Sequence, residues 1–272
     1  MEIDQRIIKL GIIIDNQITW YEDLFIEAKG EKFDTPTMAQ CSITLLGLSR
    51  EKREYILRET RPTTTTGKRV SLVLEVGRES YGTATLYQGD VFRSEPTPKP
   101  DIGVLLQCIV GQFNKNKLVT RSGTDKTRLS QLAKWCADDA GYGLSFEISD
   151  RFIQSYSFSG SAQAQIMQLE KLSKASVFVD NKTLVVKDSL APAKGLRVVK
   201  LNNDTGLLQA SGTESGAKIK MLFHPSVNIG TQIELTSETN PSLNGMYVIF
   251  KLSFEVSNKK QPFYLVCEAR QL

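Results

Sequence analysis

The stretch from Ile219 to Leu272 constrains the fold more than any other. Four runs follow one another there, at 219–223, 231–236, 245–256 and 262–269, each rich in β-branched and aromatic residues and bounded by Pro, Asn, Gly or Ser. Ile233 and Leu235 alternate with Gln232, Glu234 and Thr236. Phe263, Leu265 and Cys267 alternate with Tyr264, Val266 and Glu268. A period of two buries one face and wets the other, so the segment reads as an antiparallel sheet or barrel. Asn240-Pro241 and Asn244-Gly245 supply turns, because Asn tolerates left-handed backbone and Gly has no Cβ to oppose it. Nothing in the stretch looks like a reaction centre.

The N-terminal part has the same character. Strand-like runs occur at 7–14, 24–28, 39–46, 70–76, 84–93 and 102–110, with Cys41, Ile43 and Leu45 alternating with Ser42 and Thr44. Ser49 followed by Arg50, Glu51 and Lys52 is an N-cap with a charged first turn, which predicts a short helix over 50–59. This reads as a small barrel-like β-domain over 1–112. The middle, 113–194, changes to helix and strand. Leu129, Leu132, Trp135 and Cys136 recur at helical spacing, with Thr124-Asp125 as cap candidates and Gly141 as the stop. A strand follows at 144–148. Ile166, Leu169 and Leu172 repeat the helical pattern after Ser159-Gly160-Ser161, followed by strands at 177–180 and 183–187 joined by Asn181-Lys182. Residues 130–135 also align with 167–172 at an offset of 37, which opens the question of an internal duplication. Residues 191–195 read as a linker. Beyond it the chain returns to β at 196–201, makes a Gly-, Ser- and Thr-rich excursion over 202–216, and enters the closing strands as a second β-domain, 195–272.

With 272 residues and a net charge of +4, the chain can bury a sizeable core and carries no concentrated charge. Lys and Arg against Asp and Glu number 14 to 16 in 1–112, 12 to 8 in 113–194 and 8 to 6 in 195–272. The four cysteines, at 41, 108, 136 and 267, each lie in an apolar run without a Cys-x-x-Cys or Cys/His pair, and read as buried thiols in a reducing compartment. The N-terminus is too charged for a signal peptide and no apolar run spans a bilayer, so the chain is expected on the cytoplasmic side or in an assembly.

Chemistry is sparse. The stretch 62–68 approaches a phosphate loop, but Pro62 stands where the first Gly belongs and Arg69 where the Ser or Thr belongs, so it reads as a connection. His224, the one histidine, has no nucleophile motif beside it. One His and four scattered Cys give no metal spacing, and no cofactor is implied. Two alternatives stay open on the residues. Trp20, Tyr21, Tyr247, Phe250, Phe254, Phe263 and Tyr264, with Lys115, Lys117, Arg121, Lys126 and Arg128, are the materials of a single-stranded nucleic-acid-binding barrel. A pair among the thirty carboxylates would serve a carbohydrate-active hydrolase.

Several motifs together resemble a known family. They are Gly206-Leu207-Leu208, Leu222-Phe223-His224-Pro225, Gly230, Leu235-Thr236-Ser237, Asn244-Gly245-Met246-Tyr247, Pro262-Phe263-Tyr264 and Glu268-Ala269. Upstream, residues 42–49 with their helix, residues 86–91 and the helix over 127–140 follow in the same order. The pattern resembles the baseplate hub proteins of contractile phage tails, the T4-type hub and late control protein D relatives, over nearly the whole chain. The resemblance implies a mainly β fold with an α/β insertion, two tube-type β-barrel domains flanking a small helix–strand domain. It implies a non-enzymatic homotrimer that adapts a sixfold tail tube protein to a threefold central spike protein, beside other baseplate proteins. DNA would only pass through its channel and no stable membrane binding is implied. The place of work would be the virion tail, after synthesis in host cytoplasm. A ring also closes sheet edges that would otherwise be exposed.

Overall fold

A computed structural model describes residues 4–60, 69–123 and 125–272, and is mainly β. The near-miss phosphate loop at 62–68 lies outside the described residues. The N-terminal part forms β1 (Arg6–Ile14), β2 (Gln17–Tyr21), β3 (Phe25–Phe33) and β4 (Gln40–Leu46), then α1 (Arg50–Glu59). It closes with β5 (Val70–Arg78), β6 (Gly82–Pro96) and β7 (Gly103–Ile109). The C-terminal part forms β15 (Val199–Leu201), β16 (Leu207–Thr213), β17 (Gly216–Leu222), β18 (Gln232–Leu235), β19 (Gly245–Ser257) and β20 (Phe263–Gln271). Between them lie β8 (Leu118–Ser122), β9 (Lys126–Arg128), α2 (Leu129–Ala140), β10 (Gly143–Phe146), β11 (Phe152–Gln154) and β12 (Ser157–Ser161). They are followed by α3 (Ala162–Ser173), β13 (Ser176–Asp180) and β14 (Thr183–Lys187).

The two β parts merge into one 13-stranded sheet. Its main path runs β16-β17-β20-β19-β3-β4-β7-β6-β5-β1-β2, with β18 and β15 branching from β19. Strands of the N-terminal part thus form one contiguous block and strands of the C-terminal part another. They are joined along a single antiparallel seam, β3 against β19, from Glu27 opposite Ser257 to Phe33 opposite Lys251. Sequence patterning anticipates the β class. It does not anticipate the pairing: among the described residues the strand path is open and branched, where closed barrels were expected.

Local differences have physical reasons. The apolar pattern ends at Ala28, yet β3 continues to Phe33 through Lys29, Gly30, Glu31 and Lys32. Gly30 is buried because a Cβ there would lie 2.5 Å from the Phe254 ring and 2.5 Å from the Gln40 carbonyl oxygen. Lys32 is buried because it finds a carboxylate beyond the sheet. β2 shows no alternation because Gln17, Ile18, Thr19 and Trp20 are all exposed. Its signal was the turn before it, since Asp15 and Asn16 both have positive φ, the backbone of a tight hairpin. β16 hides in the Gly- and Ser-rich excursion for the same reason, being an outer strand whose side chains are mostly exposed.

The helix at 50–59 forms as read, with the Ser49 hydroxyl accepting from the Lys52 N–H at 3.3 Å. Of the expected Thr124-Asp125 cap of α2, Thr124 lies outside the described residues, and the cap position falls later in the chain. Arg128 occupies the N-cap position without a side-chain bond, and Asp150 accepts from the Ser130 N–H at 3.0 Å and from its hydroxyl at 2.7 Å. α3 is capped by Ser161. The two helices start at 129 and 162 and end at 140 and 173, an offset of 33, so the match at 37 does not superpose them.

In the middle part β10, β14 and β13 form a three-stranded sheet, with β10 parallel to β14. Asn181 and Lys182 make the tight turn between β13 and β14 with positive φ. Val177, Leu184 and Val186 join α2 and α3 in one core, whereas Phe178 and Val185 point into the core of the large sheet. The small sheet is therefore covered on both faces, which explains its unbroken apolar runs.

Candidate functional site

The clearest constellation of polar side chains lies where the seam ends against the small sheet. Lys32, 5% exposed on the core face of β3, donates from Nζ to Asp180 Oδ1 at 2.7 Å and to Asn228 Oδ1 at 3.0 Å. Asn228 Nδ2 donates to the second oxygen of Asp180 at 2.8 Å, closing a triangle. Two residues along, Asp34 is 1% exposed; its Oδ2 accepts from Arg270 at 2.5 Å and from the Ser176 hydroxyl at 2.8 Å. The Asp34 N–H bonds the carbonyl of Phe250, the extra residue at the irregularity between Ile249 and Lys251. At that bulge β19 changes its neighbour from β18 to β3, and the Arg270 guanidinium lies 4.4 Å over the Phe250 ring. Lys187 completes the junction, donating to the carbonyls of Asp188 and Ala191, and burial pulls its pKa down. These groups hold the three parts of the chain in one geometry. Lys32 and Asp34 are each paired with an opposite charge and Lys187 is held by carbonyl oxygens, which makes the group a polar clamp.

The second candidate is a pair of surfaces, the two ends of the main sheet path. β2 at one end and β16 at the other have, among the described residues, no partner strand on their outer sides. Neither strand contains a charged residue or a proline, the usual protections of an edge. Ile18 (45% exposed) and Trp20 (41%) stand on β2, and Leu208 (50%) on β16 next to Leu222 (44%) of β17.

Other sequence candidates are distributed as follows. His224 sits in the turn after β17, where Nδ1 accepts from the Ser226 N–H at 3.2 Å, and burial lowers its pKa. Tyr247, Phe254 and Phe263 are core residues. Tyr264 and Phe250 lie under Lys220 and Arg270, so of the aromatic set only Trp20 is exposed. The basic residues do not form a stripe. Arg121 and Lys117 converge on Asp139, with Arg121 Nε 2.9 Å from Oδ2 and Lys117 Nζ 3.0 Å from the Asp139 carbonyl. The Arg121 side chain holds the Asp139 carboxyl below its usual range. Arg128 pairs with Asp150 and stacks on Phe152, Lys126 is exposed on β9, and Lys115 is partly buried in the turn before β8. Of the carboxylates, Asp34 and Asp139 are buried, each paired with an arginine. All four cysteines are free and buried, and the sheet sets Cys41 opposite Cys108, a proximity the sequence hides. Among the described residues no group of three or more His, Cys, Asp or Glu side chains is placed to hold a metal ion, and no helix is long and apolar enough to cross a membrane.

Comparison with known proteins gives a consistent result. A family model described as Baseplate hub gp41 matches residues 7–269. No curated protein matches the chain in sequence. Among solved structures, the chain is similar to the 43 kDa tail protein of prophage MuSo2 from Shewanella oneidensis. Identity is 11% and the TM-score 0.67, over 97% of this chain and 96% of that one. The tail protein from Neisseria meningitidis MC58 aligns with 8% identity and a TM-score of 0.66, again over 97% and 96%. The E. coli c3393 protein aligns over 96% of this chain and 76% of that chain, with 8% identity and a TM-score of 0.59. It is described as a component of the type VI secretion system with structural similarity to T4 bacteriophage tail proteins gp27 and gp5. At these identities the likeness is one of fold.

Proposed function

The chain belongs to the baseplate hub gp41 family of phage tail proteins, and from that premise we propose that three copies close into a ring joining a sixfold tail tube to a threefold spike. The observation that supports this reading most is the division of one sheet into two strand blocks along the β3–β19 seam. Two blocks in each of three chains present six similar faces to a hexameric tube, while the three chains match a trimeric spike. The blocks take the part of two tube-type barrel domains, 1–112 and 195–272, and 113–194 that of the insertion between them. The small sheet and the polar clamp brace the seam, fixing the angle at which one block follows the other. DNA passes through the channel without a binding site of its own, in keeping with basic side chains already paired within the chain. Its work is geometric rather than catalytic, and its partners are its own copies, the tube protein, the spike protein and other baseplate proteins in the virion tail.

The test is the mass of the chain in solution by light scattering at high concentration, with negative-stain imaging of the same peak. A mass of three chains and a threefold ring with a central hole is the expected result. A persistent monomer that binds single-stranded DNA with steep salt dependence would replace the hub reading by the nucleic-acid one.

A further inference from the structure

We propose that Lys32, Asn228 and Asp180 form a self-reacting site, in which the Lys32 amine displaces ammonia from the Asn228 carboxamide and leaves a side-chain amide bond across the end of the seam. The chemistry needs a single chain and does not depend on the ring. Three groups are required: an amine, a carbonyl carbon that carries a leaving group, and a carboxyl group able to carry a proton from one nitrogen to the other. All three meet here, one from each part of the chain. Lys32 Nζ donates to Asn228 Oδ1 at 3.0 Å, so the carbonyl carbon is one bond from an atom that the amine already touches. Asp180 spans the two nitrogens, its Oδ1 accepting from Nζ at 2.7 Å and its Oδ2 from Asn228 Nδ2 at 2.8 Å.

The surroundings suit the reaction. The Ile229 N–H donates to Asn228 Oδ1 at 2.9 Å. That bond fixes which end of the carboxamide is oxygen, and it supplies a donor for the oxyanion that forms on attack. Asn228 is held in place by Thr231, whose hydroxyl accepts from the Asn228 N–H at 2.9 Å and whose N–H donates to the Asn228 carbonyl at 3.1 Å. Lys32, Val227 and Ile229 are buried, which keeps water from the carbon under attack. In the reaction Asp180 Oδ1 takes one proton from Nζ, and the freed amine attacks Asn228 Cγ. The new N–C bond forms as the carbonyl electron pair moves to Oδ1. Asp180 then gives its proton to Nδ2, the Cγ–Nδ2 bond breaks as the carbonyl re-forms, and ammonia leaves past the partly exposed Asp180. Ammonia carries off the second Nζ proton as ammonium, so the new amide keeps one proton and Asp180 is again ionised. The bridge would tie β3 to the C-terminal part, so that the two strand blocks could not separate without breaking a covalent bond. The small sheet, which lends only Asp180, stays held by non-covalent contacts.

The mass of the full chain under denaturing conditions tests this. The wild-type protein should weigh less than its sequence by one ammonia, and a protease digest should yield one branched peptide joining Lys32 to Asn228. Asp180→Asn keeps the shape of the side chain but cannot carry the proton, and should slow bridging by at least about 100-fold. Lys32→Arg should abolish it. A folded wild-type chain that keeps its full sequence mass after prolonged incubation would overturn the proposal, and that measurement needs no variant. Loss of ammonia traced to a succinimide at Asn244-Gly245, with Lys32 and Asn228 in separate peptides, would overturn it as well. Bridging of Asp180→Asn at the wild-type rate would overturn the proton transfer assigned to Asp180.

Discussion

The seam and the clamp hold the same molecule together by different means. Along β3–β19 the two blocks share a backbone ladder and an apolar face, with Ala28, Gly30, Val256, Phe254 and Leu252 in one row of buried positions. The small α/β sheet contributes Phe178 and Val185 to that core, but what orients it is a set of paired charges, Lys32–Asp180 and Asp34–Arg270, bridged by Asn228 and Ser176. Apolar burial is strong and tolerant of small rotations. Buried ion pairs add little net stability, yet have one satisfactory geometry and penalise every other. Stability can then come from the seam and orientation from the clamp.

Five substitutions break or sharpen that contrast. The largest effect is expected from Phe254→Ala, which empties the site against Tyr87 and Gly30. Urea unfolding should show a loss of about 3–5 kcal/mol in one transition, since the seam is common to both blocks. A loss below about 1 kcal/mol would mean that the blocks fold independently of the seam.

Asp34→Ala should cost roughly 2–3 kcal/mol, somewhat less than a fully buried pair, because Arg270 keeps some contact with water. Its distinguishing mark is local: hydrogen exchange should accelerate first in β13, where Ser176 loses its acceptor. Uniform acceleration over the large sheet would contradict an orienting role.

Asp150→Ala tests a cap supplied from a distance. It removes the acceptor of the Ser130 N–H and hydroxyl and should cost about 1–2 kcal/mol. Ser49→Ala, on a helix capped by its own neighbour, should cost about 0.5–1 kcal/mol. Reversal of that order in thermal melts would count against Asp150 as the cap.

The last effect concerns pH. The Arg121 partner depresses the Asp139 pKa in the folded state, so the pair stabilises the fold above the ordinary value of 3.8, and its contribution fades as pH falls through the lower folded value. The stability difference between wild type and Asp139→Asn should be on the order of 1 kcal/mol near neutrality, because Arg121 is partly exposed, and should vanish in acid. A constant difference across that range would show that the two groups are not coupled.

Residue chemistry alone was enough for whatever depends on neighbours in sequence. The closing strands appear where alternation puts them, Ser49 caps its helix, Gly141 ends α2 in left-handed backbone, and the Asn181-Lys182 turn forms. The family was also legible, because motifs such as Leu222-Phe223-His224-Pro225 and Asn244-Gly245-Met246-Tyr247 keep their order along the chain. The outer strands were harder to see. Alternation records burial, and β2 and β16 bury little. Tertiary structure decided the rest. Nothing local in Lys29-Gly30-Glu31-Lys32 marks a strand, because Gly30 answers to Phe254 and Lys32 to Asp180, both far along the chain. Asp150 as the cap of α2, Cys41 opposite Cys108, and the joining of two blocks at β3–β19 are likewise pairings between distant residues. A sequence fixes local backbone preference and which face is apolar. Which apolar face meets which, and which charge finds its partner, is set by the folded chain, where burial makes an unmatched strand edge or charge costly.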